Sequence, residues 1–135
     1  MKETYEDFLQ LLKASINKSE VKINNVNWQS ILQLSNIHKV LPLVYEALYK
    51  SEEFKNTDKD FQKYLKTTSM QIIYNQIQRS ERFLQIYEEF NKKGVKILVF
   101  KGIILRELYP IPDERISGDE DLLNKKEDLK KAEEI

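Results

Sequence analysis

The placement of glycine and proline is the feature of this chain that most restricts its fold. All three glycines (Gly94, Gly102 and Gly118) lie in the last 42 of the 135 residues, and the first 93 residues contain a single proline, Pro42. Glycine and proline are the residues that most often interrupt helices and form turns. Their scarcity before residue 94 predicts a helical first part and a change of architecture near Gly94.

Apolar residues before Gly94 recur mostly every three or four positions, which is the spacing of one helix face. A first helix is expected around residues 5–12, a second after the capping residue Asn27, and a third from Pro42. The longest helix is expected over residues 58–93 and ends at the glycine that follows. This part of the chain is therefore predicted to be a helical bundle with the longest helix as its spine.

After Gly94 the hydrophobic period changes. The segment VKILVF (95–100) is short, apolar and rich in β-branched residues, and glycines bound it, which indicates a buried strand. The segment GIILRELYP (102–110) can form about two helical turns, and DEDLL (119–123) can form a second strand with a further helix after it. The order is strand, helix, strand, helix, and we expect a short crossover to join the two strands.

The expected fold class is α+β and mostly α. A helical bundle over residues 1–93 is followed by the strand-helix-strand start of a sheet, in a β-α-β-α segment over residues 94–135. Two strands rarely make a stable sheet on their own. In addition, Leu129, Ala132 and Ile135 look like one face of a helix interrupted in mid-pattern. These two features lead us to expect a fragment of a longer protein.

Composition excludes several classes of site and of protein. The chain has no cysteine and one histidine, so thiolate sites and imidazole-based zinc sites within one chain are excluded. No stretch approaches the ~20 apolar residues of a membrane span, and a cytoplasmic protein is expected. Lys+Arg and Asp+Glu both total 22, yet residues 113–135 hold nine acids and five bases. Such an acidic end calls for cations and gives no strong signal for nucleic-acid binding.

Within the acidic segment, Asp119 and Asp121 are the candidate metal-binding residues. On a strand both carboxylates would point to one face, with Cα atoms roughly 6.5 Å apart, which is close enough to converge on Mg²⁺ or Mn²⁺. Gly102 would lie where the first strand meets a helix N-terminus, a place that attracts phosphate groups, with Lys101 beside it. The simpler alternatives are a solvated run of acids and an ordinary strand-to-helix turn.

The order of motifs resembles a known family. ILVFKG, a helix ending in ELYP, an Arg-containing loop and then GDEDLL followed by KEDLKKA look like the uncharacterised bacterial nucleotidyltransferases of the DNA polymerase beta type superfamily. NWQSILQLSNIHKVLPLVYEAL is similar to that family's N-terminal helical region, so the resemblance spans about residues 26–132. It implies the N-terminal portion of a magnesium-dependent enzyme that transfers a nucleoside monophosphate from an NTP to an acceptor, which the sequence does not identify.

The same resemblance assigns roles to individual residues. Asp119 and Asp121 correspond to the catalytic, metal-binding carboxylates, and Lys101 with Gly102 takes the position of the superfamily's phosphate turn. Arg115 matches the Arg of the preceding loop, where it either holds the loop or contacts the triphosphate. The substrate-binding positions implied in this way are Lys101, Gly102, Arg115 and Gly118.

Two features depart from the superfamily pattern. The residue between the aspartates is usually apolar, but here it is Glu120, which we expect near a strand end or paired, because an unpaired buried carboxylate is costly or becomes protonated. The superfamily also takes a third carboxylate from a later strand, so the chain is expected to act as an enzyme only where a longer protein supplies that group. The alternative function is a non-catalytic helical interaction or regulatory module. In that case homodimerisation would seal the unpaired sheet edge.

Overall fold

A computed structural model of the chain describes residues 2–23 and 26–135. Within these residues the chain forms seven α-helices, two short 3-10 turns and one sheet of two strands. The elements are, in chain order, α1 (Lys2–Asn17), α2 (Trp28–Ile37), α3 (Leu41–Leu48), α4 (Glu52–Lys55), α5 (Lys59–Lys92), β1 (Ile97–Phe100), α6 (Gly102–Arg106), the 3-10 turn Pro112–Glu114, β2 (Asp121–Asn124), the 3-10 turn Lys126–Asp128 and α7 (Leu129–Glu133). The predicted fold class, mostly α with a small sheet, is confirmed.

The ends of the long and middle helices follow from local sequence. Asn27 caps α2 and Asp58 caps α5. The side chain of Asn27 accepts a hydrogen bond from one backbone N–H of the first turn, and that of Asp58 accepts from two. Pro42 lies in the first turn of α3, where its missing N–H has no helical partner to lose. Gly94 follows the last turn of α5 with a φ of +71°, a conformation that favours glycine at this position. All four boundaries agree with those predicted, whereas the short helix α4, which Ser51 caps, was not predicted.

The core of the helical part is centred on α3, which packs against α1, α2 and α5. Its buried side chains are Phe8, Leu11, Ile23, Ile31, Leu41, Val44, Tyr45, Leu48, Phe54 and Leu65. Beyond Leu65 the apolar face of α5 is interrupted, because the polar Gln76 is buried where an apolar side chain would be expected, and the next buried apolar residue is Phe90. The second half of α5 instead contacts the 3-10 turn Pro112–Glu114. The helix α5 therefore packs against both the helical core and the segment that leads to the sheet.

The two strands pair antiparallel, with Leu98 opposite Leu123 and Phe100 opposite Asp121. The predicted crossover is therefore wrong. A crossover returns the chain along the length of the first strand, whereas here the connection begins and ends at the same end of the sheet. The five-residue helix α6 is sufficient for such a connection, because the chain does not have to travel back.

None of the helices within residues 2–23 and 26–135 combines the length and the apolar character that a membrane span requires.

Candidate functional site

The residues predicted to form a site meet at one end of the sheet. Because Phe100 pairs with Asp121, the residues that directly follow β1 lie beside those that directly precede β2. Lys101 and Gly102 follow β1, and Asp119 precedes the first residue of β2 by two positions. The antiparallel pairing thus brings the turn and the acidic pair together, although it is not the topology expected from the sequence.

The two aspartates lie in different settings. Asp121 is the first residue of β2 and is half-buried, and its Oδ2 lies 3.4 Å from Nζ of Lys101. Both side chains of this ion pair are partly exposed, so the pair contributes at most about 1 kcal/mol to stability. Asp119 is exposed and lies outside the strand ladder, and its backbone oxygen accepts a hydrogen bond from Ser117 Oγ at 3.0 Å. Strand geometry therefore sets the direction of Asp121, while the loop sets that of Asp119.

The donor set suits an ion that is shared with a substrate. In the part of the chain that the structure describes, no three or more His, Cys, Asp or Glu side chains are grouped so that they could hold a metal ion by themselves. Magnesium commonly takes one or two carboxylates, with waters and substrate phosphates as its remaining ligands. Asp119 and Asp121 offer oxygen donors of this kind, so the residues present fit a magnesium ion that is completed by its substrate.

The turn after β1 has an unusual backbone. Lys101 has a φ of 58° and a ψ of −145°, a combination that residues with a side chain rarely adopt. Gly102 has a φ of +45°, and a Cβ at this position would overlap the Glu120 carboxylate and lie 3.2 Å from the Glu120 Cα. A side chain at this position would displace the Glu120 carboxylate, and the positive φ also favours glycine. The turn and the segment before β2 are therefore in direct contact.

Glu120 occupies the place that the sequence suggests for a phosphate. Its Oε2 accepts a hydrogen bond from the backbone N–H of Ile103, in the first turn of α6, at 2.5 Å. Glu120 is half-buried and lies directly before β2. Glu120 is thus both next to a strand end and paired, and its partner is the backbone N–H of Ile103 in the turn after β1.

Arg115 and Gly118 lie in the loop that precedes the aspartates. Arg115 Nη1 donates to the backbone oxygen of Gly102 at 3.0 Å. Of the two roles expected for this arginine, the contact corresponds to holding the loop against the turn. Gly118 is exposed, and a Cβ placed on it would meet no atom within 4 Å.

Sequence reasoning missed two polar residues of α5 that contact this loop. The backbone N–H of Ser117 donates to Gln76 Oε1 at 3.0 Å, and the backbone oxygen of Ser117 accepts from Arg79 Nη1 at 2.9 Å. The available signal was Gln76 itself, a polar residue in phase with the apolar face of the longest helix. A buried amide is retained only when it finds hydrogen-bond partners, so its position pointed to a polar partner from another element.

Two further charged residues are buried beside the loop. Arg106 in α6 donates from Nε to the backbone oxygen of Pro112 at 3.1 Å, and its guanidinium also contacts Ser80 Oγ and the Asp113 carboxylate. Glu114 is buried in the 3-10 turn Pro112–Glu114, which also contains Asp113. Burial raises the pKa of its carboxyl from 4.5 to about 7, and the nearby charge of Glu46 adds to the shift.

The sequence was also compared with known proteins. The model of a family described as an uncharacterised nucleotidyltransferase matches residues 24–135, which include every position assigned above to the site. No curated protein and no solved structure matches the chain.

Proposed function

Because the chain belongs to the family of uncharacterised nucleotidyltransferases, we propose that it is the N-terminal portion of an enzyme of the DNA polymerase beta type superfamily. In this proposal the cytoplasmic enzyme transfers a nucleoside monophosphate from an NTP to an acceptor and depends on Mg²⁺ or Mn²⁺. A later strand of a longer protein supplies the third carboxylate. The observation that supports the proposal is that the Lys101–Gly102 turn and the Asp119–Asp121 segment meet at one end of the sheet.

Each residue of the proposed site has a role that its chemistry supports. Asp119 and Asp121 hold the metal ion, which when bound would activate the acceptor hydroxyl and balance charge on the triphosphate. Lys101 places a positive charge at the same end of the sheet, 3.4 Å from Asp121. Arg115 keeps the loop against the turn, and Gly118 leaves the space beside Asp119 free of a side chain.

Glu120 restricts how a phosphate can approach the turn. Its carboxylate already accepts the Ile103 N–H, and a phosphate oxygen would need the same donor. Phosphate contact with the backbone N–H of Ile103 therefore requires the Glu120 side chain to move away. Contact with the Lys101 ammonium requires no such movement, because that side chain is exposed.

Binding of a metal and an NTP to the 135-residue chain tests the proposal. We expect an NTP to raise the melting temperature only when Mg²⁺ or Mn²⁺ is present, and the Asp119→Asn and Asp121→Asn variants to lose this increase. A ligand at a hundred times its dissociation constant adds about 2.7 kcal/mol to the free energy of unfolding, which is roughly 10 °C for a chain of this size. Asparagine keeps the shape of the side chain and removes its charge.

The matched control is Glu127→Gln, which removes a negative charge from an exposed side chain just beyond β2. This variant should keep the full metal-dependent increase. An increase that survives in both aspartate variants would overturn the site assignment. If no NTP has any effect on the unchanged chain, the proposed function fails, and the non-catalytic interaction or regulatory module becomes the better account.

For the alternative, the non-catalytic module, we propose a homodimer formed through the free edge of the sheet. In the described residues each strand pairs only with the other and so keeps one unpaired edge. Leu98 and Leu123 oppose each other on one face and are 62% and 59% exposed. Sedimentation velocity should show a dimer that Leu98→Lys dissociates and that Ile37→Lys, at a position of similar exposure on α2, leaves intact. A monomer at every concentration would contradict the dimer.

A further inference from the structure

The buried amide of Gln76 identifies a contact between α5 and the proposed site. Gln76 lies in the middle of the longest helix and is only 4% exposed. Its Oε1 accepts the backbone N–H of Ser117, which lies 41 residues further along the chain. Burial of an amide without such a partner would destabilise the fold, so the pairing explains why a polar side chain is tolerated there.

Both backbone polar groups of Ser117 are bound by the same helix. Gln76 accepts the N–H, and Arg79, three residues later on α5, donates to the C=O at 2.9 Å. Ser117 is itself 8% exposed, so solvent competes little for these hydrogen bonds. Two side chains on one rigid element thus fix the peptide groups on both sides of a single residue.

Ser117 is in turn hydrogen-bonded to the acidic segment. Its Oγ donates to the backbone oxygen of Asp119 at 3.0 Å. The carboxylate of Asp119 is exposed, and no strand ladder orders its backbone, since β2 begins at Asp121. The only hydrogen bond to Asp119 that the structure shows in the described residues therefore comes from the residue that α5 holds.

We infer that Gln76 and Arg79 are positioning residues that orient Asp119 for metal binding by way of Ser117. The inference rests on the proposed function, because it concerns the metal site named there. Groups that orient a metal ligand without touching the metal commonly change its affinity by about 10- to 100-fold. Here the restraint replaces the order that a strand would have given Asp119.

The test is a titration of the chain with Mn²⁺ alone, with free Mn²⁺ followed by electron paramagnetic resonance. We expect Gln76→Met and Arg79→Met each to raise the Mn²⁺ dissociation constant about tenfold. Methionine keeps the length and most of the volume of the glutamine while removing the acceptor. Arg79 is exposed, so its variant should fold even if the Gln76 variant does not.

Two controls separate positioning from a general loss of stability. Gln71→Met makes the same change at an exposed site on the same helix, and Leu65→Ala weakens the helical core without touching Ser117. Both should keep the Mn²⁺ affinity of the unchanged chain. In addition, exchange of the Ser117 amide hydrogen, measured by NMR, should accelerate in Gln76→Met and not in Leu65→Ala.

The outcomes distinguish the inference from the function on which it rests. If the unchanged chain binds no Mn²⁺, the proposed metal site fails and the inference fails with it. If the unchanged chain binds Mn²⁺ and the Gln76 and Arg79 variants bind it equally well, only the inference is overturned. An equal loss of affinity in Leu65→Ala would also overturn it, because the effect would then follow stability rather than position.

Discussion

Replacement of Arg106 by methionine should lower the free energy of unfolding by about 3 kcal/mol. Arg106 is 4% exposed, and its guanidinium joins α5, its own helix and the 3-10 turn through Ser80, Pro112 and Asp113. Methionine would fill much of the space but would leave these acceptors without a donor. A hydrogen-bond acceptor that loses its protein donor must bind water instead or remain unsatisfied. A buried acceptor has little access to water, so the loss lowers the free energy of unfolding.

Urea unfolding of the two proteins, followed by far-ultraviolet circular dichroism, measures this effect. Arg82→Met is the matched control, since it makes the same change at an exposed position of α5 and should alter the free energy by less than about 0.5 kcal/mol. If the Arg106 variant proves as stable as the control variant, the guanidinium does not hold the three elements together.

The stability of the chain should fall as the pH rises through the range in which Glu114 loses its proton. The pKa of Glu114 is raised from 4.5 to about 7 in the folded protein. The folded state therefore binds the proton more tightly than the unfolded state, and its advantage disappears as the pH increases past 7. Between pH 5.5 and pH 8 this single group should remove about 2 kcal/mol from the free energy of unfolding.

The Glu114→Gln variant isolates the contribution of this carboxyl. Glutamine stays neutral at every pH, so the decrease in stability between pH 5.5 and pH 8 should be about 2 kcal/mol smaller in the variant than in the unchanged chain. Glu107→Gln, at an exposed position next to α6, should leave the pH dependence as it is. Identical pH profiles for Glu114→Gln and the unchanged chain would show that Glu114 ionises in the folded protein at an ordinary pH.

Helix ends could be predicted because they depend on neighbouring residues. Asn27, Pro42, Asp58 and Gly94 act through the capping and turn chemistry of their own segments. The four-residue helix α4 could not be predicted in this way, because it is too short to show a period, and its Phe54 belongs to a core built from distant segments. The direction of strand pairing is equally non-local, since it depends on how residues 101–120 connect the strands.

The meeting of the turn with the acidic segment followed from the resemblance, but the contacts within the site did not. The hydrogen bond from Ile103 to Glu120 joins residues 17 positions apart, and that from Ser117 to Gln76 joins residues 41 positions apart. Sequence spacing contains no information about such pairs unless one partner is conspicuous. Glu120 stands out because it replaces an apolar residue between the aspartates, and Gln76 because it is polar at an apolar phase, but neither position identifies the partner residue.

The two attachments of α5 restrict how its length can vary. Leu65 lies in the helical core and Gln76 holds the loop, and their separation of eleven residues is close to three turns, so both lie on one side of the helix. An insertion or deletion of one residue between them would rotate one attachment by about 100° relative to the other. The exposed positions of the segment between them can therefore exchange side chains, whereas Ser69 is buried, Ile72 packs against the core, and a change of one residue in length would misalign the two attachments.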